Sequence, residues 1–293
     1  MMKFLFPLLV FLGLLGRADR LFFKKNNSFS SRFLFSSLSP SPLFEIPSPT
    51  EEELSVLDMA LKERFYYLGK GAHCYAFASE NGEYVIKFHR FASHMRVLPW
   101  LNHPLSYWLK EKRRHIKQHN EEKLTYNLLS YKNSYKDLRE ETGALFLHIN
   151  KTRHLARTAR IVDAMGFMHN IPLDTVTFIL QRKAKMIYPS LAECMKYGNI
   201  EGAQRIIRQL IDLMIISCQK GYADNDPLFH KNHGLLKDRA IHIDMGDLTQ
   251  DQTLRTQEAY IPYIRKITSS LQDHLSSHYP DLLPYYNELT RHN

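Results

Sequence analysis

The sequence predicts an α+β chain in which a small β-rich part precedes a helical part, and three observations predict it. Residues 65–88 run as three strand-like segments divided by Gly-Lys-Gly and Glu-Asn-Gly-Glu turns. In residues 200–220, Ile206, Leu210, Leu213, Met214 and Cys218 recur at helical spacing, and Gly221 follows as a stop. Further on, the short apolar runs 233–236 and 240–243 flank Lys237-Asp238-Arg239, which is the pattern of a tight two-strand hairpin.

Taken in order, the chain opens with residues 1–16, basic at Lys3 and apolar from Phe4 to Leu15, followed by Arg17-Ala18-Asp19. This resembles a secretory signal with a cut after Ala18, so residues 1–18 are expected to be a signal peptide or a membrane anchor. The apolar run is shorter than the ~20 residues that a spanning helix needs. Residues 19–49, rich in Ser, Phe, Asn and Pro without periodicity, are expected to be a disordered linker. The folded domain is then 50–293. Thr50 with Glu53 forms a capping box, and Leu54, Leu57, Ala60 and Leu61 make one apolar stripe.

Residues 110–117 are a basic run, read as a solvated helix face. His115 and His119 share that face but lack a third ligand for zinc. Residues 121–149 are expected to form two helices broken near Asn133-Ser134, the second spanning 135–149. Strands are expected over 160–168 and 175–181, joined across 169–174. A short helix follows over 190–197, then the long one over 200–220. Residues 260–271 and 280–289 are expected to supply two closing helices.

A net charge of +9 points to anionic partners: nucleotide, phosphate, anionic lipid or nucleic acid. Nucleic acid ranks last, because charge alone supports it. Cys74, Cys194 and Cys218 are an odd set without a CxxC pair, so neither a disulfide framework nor a zinc ribbon is implied.

The chemistry concentrates in two stretches. In the first, Gly69 and Gly71 let backbone pass close to a phosphate, and the amides of Lys70 and Ala72 can join the cradle. Lys87 stands near the end of the apolar strand Tyr84-Val85-Ile86-Lys87-Phe88. In the second, Asp226 and Asn232 occupy a loop that leads into the 233–243 hairpin, which ends on Asp244-Met245-Gly246. Carboxylate and amide oxygens of this kind suit Mg²⁺, a hard cation that bridges substrate phosphates.

These two stretches, in this order and with a helix-rich interval between them, resemble the protein-kinase-like superfamily over about residues 65–248. The first is similar to the glycine-rich hairpin and the Val-Ala-Ile-Lys strand. The second is similar to the catalytic loop and the Asp-Phe-Gly segment. The resemblance implies a two-lobed kinase-like fold, with an N-lobe of about 50–181 and a reduced C-lobe of about 182–293.

It also implies roles. Lys87 would hold the α- and β-phosphates, paired with Glu141 or its neighbour Glu140. Gly69, Lys70, Gly71 and Ala72 would cradle phosphate, and Gln181 would lie where a hinge meets adenine. Asp226, or alternatively Asp224, would orient the acceptor hydroxyl, with Asn232 and Asp244 on metal. Lys231 would stand in for the loop lysine that contacts the γ-phosphate.

The sequence departs from the family at several points. Cys74 takes the place of the third glycine, and Asp226 and Asn232 are six apart rather than five. His-Arg-Asp and Ala-Pro-Glu are absent, and 47 residues follow Gly246. The chain therefore resembles a minimal, bacterial-type member.

The implied function is ATP- and Mg²⁺-dependent phosphoryl transfer to a hydroxyl of a protein, small-molecule or glycan acceptor. The runner-up is a pseudokinase, a nucleotide-binding or interaction module held at an anionic membrane surface. The signal-like segment points to export or anchoring, with the cytoplasm left open.

Overall fold

The computed structural model describes residues 17, 21–36, 38–91, 110–237 and 239–292. The expected signal or anchor, with its cut after Ala18, lies almost wholly outside them. Among the described residues, no helix is long and apolar enough to cross a membrane. The fold is α+β, as expected. The chain divides into two units: 1–42 with 49–117 and 148–179, and 43–48 with 118–147 and 180–293.

The first unit opens with a short helical stretch at 21–25 and a 3-10 turn at Ser31–Phe33. Helix α1 (Glu51–Leu61) then starts on the expected capping box, with Glu53 N donating to Thr50 Oγ1 and Thr50 N to Glu53 Oε2. It buries Leu57 and Ala60. Strands β1 (Arg64–Lys70), β2 (Cys74–Ser79) and β3 (Tyr84–His89) form the expected antiparallel meander. The register of β1 on β2 shifts between Tyr67 and Gly69, so Leu68 is a bulge. A second hairpin, β5 (Thr158–Val162) and β6 (Met168–Pro172), sets β5 parallel to β1.

A strand had been expected to continue through 160–168. Asp163 breaks it, because its Oδ1 accepts the amides of Met165 and Phe167 at 3.0 and 2.9 Å and closes a turn. With β4 (Ala144–His148) and β7 (Phe178–Arg182), these strands make a curled seven-stranded sheet in the order β4-β7-β3-β2-β1-β5-β6.

Within the stretch 19–49, expected to be a disordered linker, several described residues make definite contacts. Phe29 is buried, and its ring packs edge-on against Tyr75, Phe77 and His169. Asn26 Nδ2 donates to Asp163 Oδ2 at 2.9 Å, Tyr75 OH donates to Ser28 O, and Phe35 bridges Val176. The segment holds only short helical pieces, at 21–25, Ser31–Phe33 and Pro42–Phe44, too short to carry a readable periodicity, but its aromatics have a sheet face to cover.

Helix α2 (Lys110–Asp137) runs through Asn133-Ser134 without the expected break, and Ser134 is fully buried. A four-residue helix α3 (Arg139–Thr142) ends on Gly143 at φ 61°, and β4 follows. The helix expected over 135–149 is therefore overturned for its second half. Ala144–His148 is a short apolar run buried on both faces, which periodicity alone cannot separate from a helix. Gly143 supplies the left-handed residue that stops α3, and an added Cβ there would meet Leu236 Cδ1 at 3.0 Å.

In the second unit, β8 (Lys185–Met186) leads to α4 (Ile187–Lys196) and α5 (Ile200–Gln219). All five apolar positions expected to share one face of α5 are buried. Around them lies the largest core of this unit, which also takes in Ile187, Leu191, Leu254, Tyr260, Leu271, Leu282 and Tyr286. Burial pushes the Cys218 thiol up to about 12, so it is an inert packing group. Three helices, not two, close the chain: α6 (Gln257–Ile267), α7 (Ser269–His278) and α8 (Leu283–His292). The extra stop is Thr268, whose hydroxyl is bound to Ile264 O and Tyr286 OH.

Candidate active site

The loop of interest is framed by two short strands and a hairpin. Strand β9 (Tyr222–Asp224) pairs antiparallel with β12 (Leu248–Gln250), so the chain leaves and returns at one place. Between them, β10 (His233–Leu236) and β11 (Arg239–His242) form the expected hairpin. Gly234 fits there for want of room: an added Cβ would lie 2.7 Å from Ala184 Cβ and 2.9 Å from Lys185 O.

Three predicted residues come together in this loop. Asn232 Nδ2 donates to Asp226 Oδ2 at 2.9 Å and to Asp226 O at 2.8 Å, so the amide orients the carboxylate. Asn232 O accepts Ile243 N at 2.7 Å and Asp244 N at 3.4 Å, which ties the loop to the Asp-Met-Gly segment. Asp244 Oδ1 accepts Gly246 N at 3.0 Å. From α2, Asn127 Nδ2 donates to Gly246 O at 3.1 Å, and Ser130 Oγ lies 2.6 Å from Met245 O and 2.5 Å from Leu248 O. That segment is thus held from both sides.

A fourth acid belongs here that the sequence reading missed. Asp247 titrates at about 6, raised first by burial and then by the charges of Asp244, Asp226 and Asp224, with Lys123 opposing them weakly. The acids concentrate negative charge around a half-buried carboxyl, the condition that a divalent cation relieves. Asp247 follows Gly246 directly, so its position was in view; its burial was not.

Asp224, the alternative catalytic carboxylate, is engaged differently. Its Oδ2 faces His233 and His242, and its Oδ1 accepts Asp226 N at 3.0 Å. Tyr263 OH accepts Asp224 N and donates to Asp224 O. Burial favours the neutral acid, but the two histidines beside it, His233 and His242, outweigh it and hold the carboxyl well below the usual range. Asp224 braces the loop, and Asp226, only partly buried, is the more available carboxylate. Lys231 is exposed, and its amide donates to Leu228 O.

Other predicted residues have definite surroundings. Glu141 Oε1 accepts Lys220 Nζ at 2.7 Å, so the ion pair it makes within its own unit is with Lys220. Glu140 is exposed and sits 3.6 Å from Arg239. Gln181 is buried and spends its side-chain amide on Thr142 O.

In the first unit, Lys70, Gly71 and Ala72 are exposed at the β1–β2 turn, where Gly71 N donates to Cys74 O and Arg90 Nη1 donates to Gly71 O. A Cβ at Gly69 would meet nothing within 4 Å, and one at Gly71 only Cys74 O at 4.0 Å. Crowding by the chain itself therefore does not demand glycine at either place. Lys87 is half-buried on β3, opposite Ala76, between the fully buried Ile86 and Phe88.

No protein-family model matches the chain, and no curated protein matches it significantly.

Proposed function

We infer that the chain transfers a phosphoryl group from ATP, with Mg²⁺, to a hydroxyl acceptor on a protein, small molecule or glycan. The observation that carries this reading is the loop in which Asn232 orients Asp226 and joins Asp244, beside an Asp247 whose carboxyl is pushed up first by burial and then by the neighbouring acids. Phosphoryl transfer asks for positioning and charge neutralisation rather than covalent chemistry.

Asp226, fixed by the Asn232 amide, orients the acceptor hydroxyl. Asn232 and Asp244 hold the metal, and Asp247 adds a further oxygen. In the first unit, taken by itself, the exposed turn at Lys70 and Ala72 would face phosphate, although the Gly71 amide is taken by Cys74 O, and Lys87 would supply a cation. A Mg²⁺ held by Asn232, Asp244 and Asp247 would supply the charge that neutralises phosphate oxygens and offsets the crowding of acids.

The second reading, a nucleotide-binding pseudokinase, is favoured by one observation. Glu141 is committed to Lys220, and Glu140 lies exposed on the surface.

The test is thermal melting of the full chain with ATP, Mg²⁺ and both, beside Asp244→Ala, together with transfer of labelled γ-phosphate. A ligand at a hundredfold excess over its Kd stabilises by about 2.7 kcal/mol. A metal-dependent shift with transfer, both lost in Asp244→Ala, supports phosphotransfer. A shift without transfer selects the second reading, and no shift under any condition removes both.

A further inference from the structure

Three side chains from successive strands of the second unit converge. Asp224 closes β9, His233 opens β10 and His242 closes β11, and the two histidines face each other across the hairpin. Asp224 Oδ2 lies 3.2 Å from His233 Nε2 and 3.5 Å from His242 Nδ1, and the two nitrogens are 3.1 Å apart. Zinc bonds of about 2.0–2.2 Å in a tetrahedron place ligand atoms about 3.3–3.6 Å from one another. The observed edges of 3.2, 3.5 and 3.1 Å lie within about 0.2 Å of that range.

The surroundings prepare the ligand atoms. Ser217 Oγ donates its proton to Leu213 O at 2.9 Å and lies 2.9 Å from His242 Nε2. With its proton committed, Ser217 accepts from His242, so the imidazole carries hydrogen on Nε2 and offers the Nδ1 lone pair to the cluster. Asp224 Oδ1 is taken by the Asp226 amide, which leaves Oδ2 for the same point. Both histidines are at most 1% exposed.

We propose that Asp224, His233 and His242 form a transition-metal site of the zinc class, with water as a further ligand. Two imidazoles and one carboxylate suit zinc rather than magnesium, whereas Asp226, Asn232, Asp244 and Asp247 offer only oxygen. The ion would cross-link β9 to the β10–β11 hairpin at the base of the loop, so that binding free energy becomes folding stability.

The experiment uses the full chain. It is expressed with zinc and desalted, and its metal content is measured; cobalt(II) is then exchanged in as a visible probe. The expected result is about one zinc per chain, as for a structural or three-ligand site, with the intense cobalt bands of four-coordination. Both should vanish in His242→Ala and His233→Ala and persist in Asp244→Asn. Zinc retained by soluble histidine variants, or lost in Asp244→Asn, places the ion elsewhere and overturns the proposal. If the histidine variants fail to fold, the unaltered chain decides. Intense bands sustain the site, whereas a pale six-coordinate spectrum, or no bound metal, overturns it.

Discussion

Asn232 donates one amide group to both the side chain and the backbone carbonyl of Asp226, at 2.9 and 2.8 Å. A residue that grips a carboxylate at two points fixes its rotamer, and through its own carbonyl it ties that carboxylate to Asp244. Asn232→Ala should therefore weaken Mg²⁺-dependent nucleotide binding about 10- to 100-fold, as loss of a supporting partner does at metal sites. Titration calorimetry with ATP and Mg²⁺ checks this, and unchanged affinity removes Asn232 from the site.

Asp247 makes the site sensitive to pH. Its folded value of about 6 exceeds the ordinary 3.8, so the folded state binds the proton more tightly. That contribution to stability is complete below the unfolded value and is lost as pH rises through the folded one. In metal-free buffer, Asp247→Asn should match the unaltered chain near pH 4 and melt higher near pH 7. Added Mg²⁺ should narrow the gap. A difference in Tm that is flat across this range counts against the raised carboxyl.

Ser130 holds the Asp-Met-Gly segment from α2 through its contacts with Met245 O and Leu248 O. Ser130→Ala removes the single hydroxyl proton that the two carbonyls share and should cost about 1–3 kcal/mol. Hydrogen exchange should rise at residues 245–248 in particular. Uniform change across the chain would mean that the hydroxyl has no special hold on this segment.

Gly234→Ala tests the hairpin. The new methyl would sit 2.7 Å from Ala184 Cβ, with backbone 2.9 Å away on β8, so relief requires strand movement. Overpacking of this kind costs about 1–3 kcal/mol. Denaturant unfolding reads it, and a stability equal to the unaltered chain shows that the strands give way freely.

Legibility followed local pattern. The capping box, the β1–β3 meander, α5 and the β10–β11 hairpin were readable because each carries its own periodicity or turn chemistry. β4 was not, since a strand buried on both faces has no alternation to read. In the candidate site, Asp226, Asn232 and Asp244 were visible as an order of residue types. Asn127 and Ser130 were not, because their roles come from contacts with a segment 119 and 115 positions away, and neither were Asp247 and the His233–His242 pair, whose roles come from burial. Glu141 shows the converse: a helix acid could be named, but its partner, Lys220, is 79 residues away.

Phe29 is 2% exposed within a cluster of aromatic rings. Phe29→Ala should cost about 3–5 kcal/mol. A chain that begins at Thr50 should melt lower by a comparable or larger margin. Equal melting of the two lengths would return residues 21–36 to the status of a tether.

The hydrogen bond from Asn26 to Asp163 joins residues 137 positions apart. During synthesis the N-terminal piece leaves the ribosome first, while the strands that receive it are still unmade. Phe29 can meet Tyr75 and Phe77 early, but its contact with His169 and the bond from Asn26 to Asp163 wait until those residues emerge, so this part of the seam closes late. In that interval the nascent chain offers chaperones a greasy handle that the finished molecule conceals.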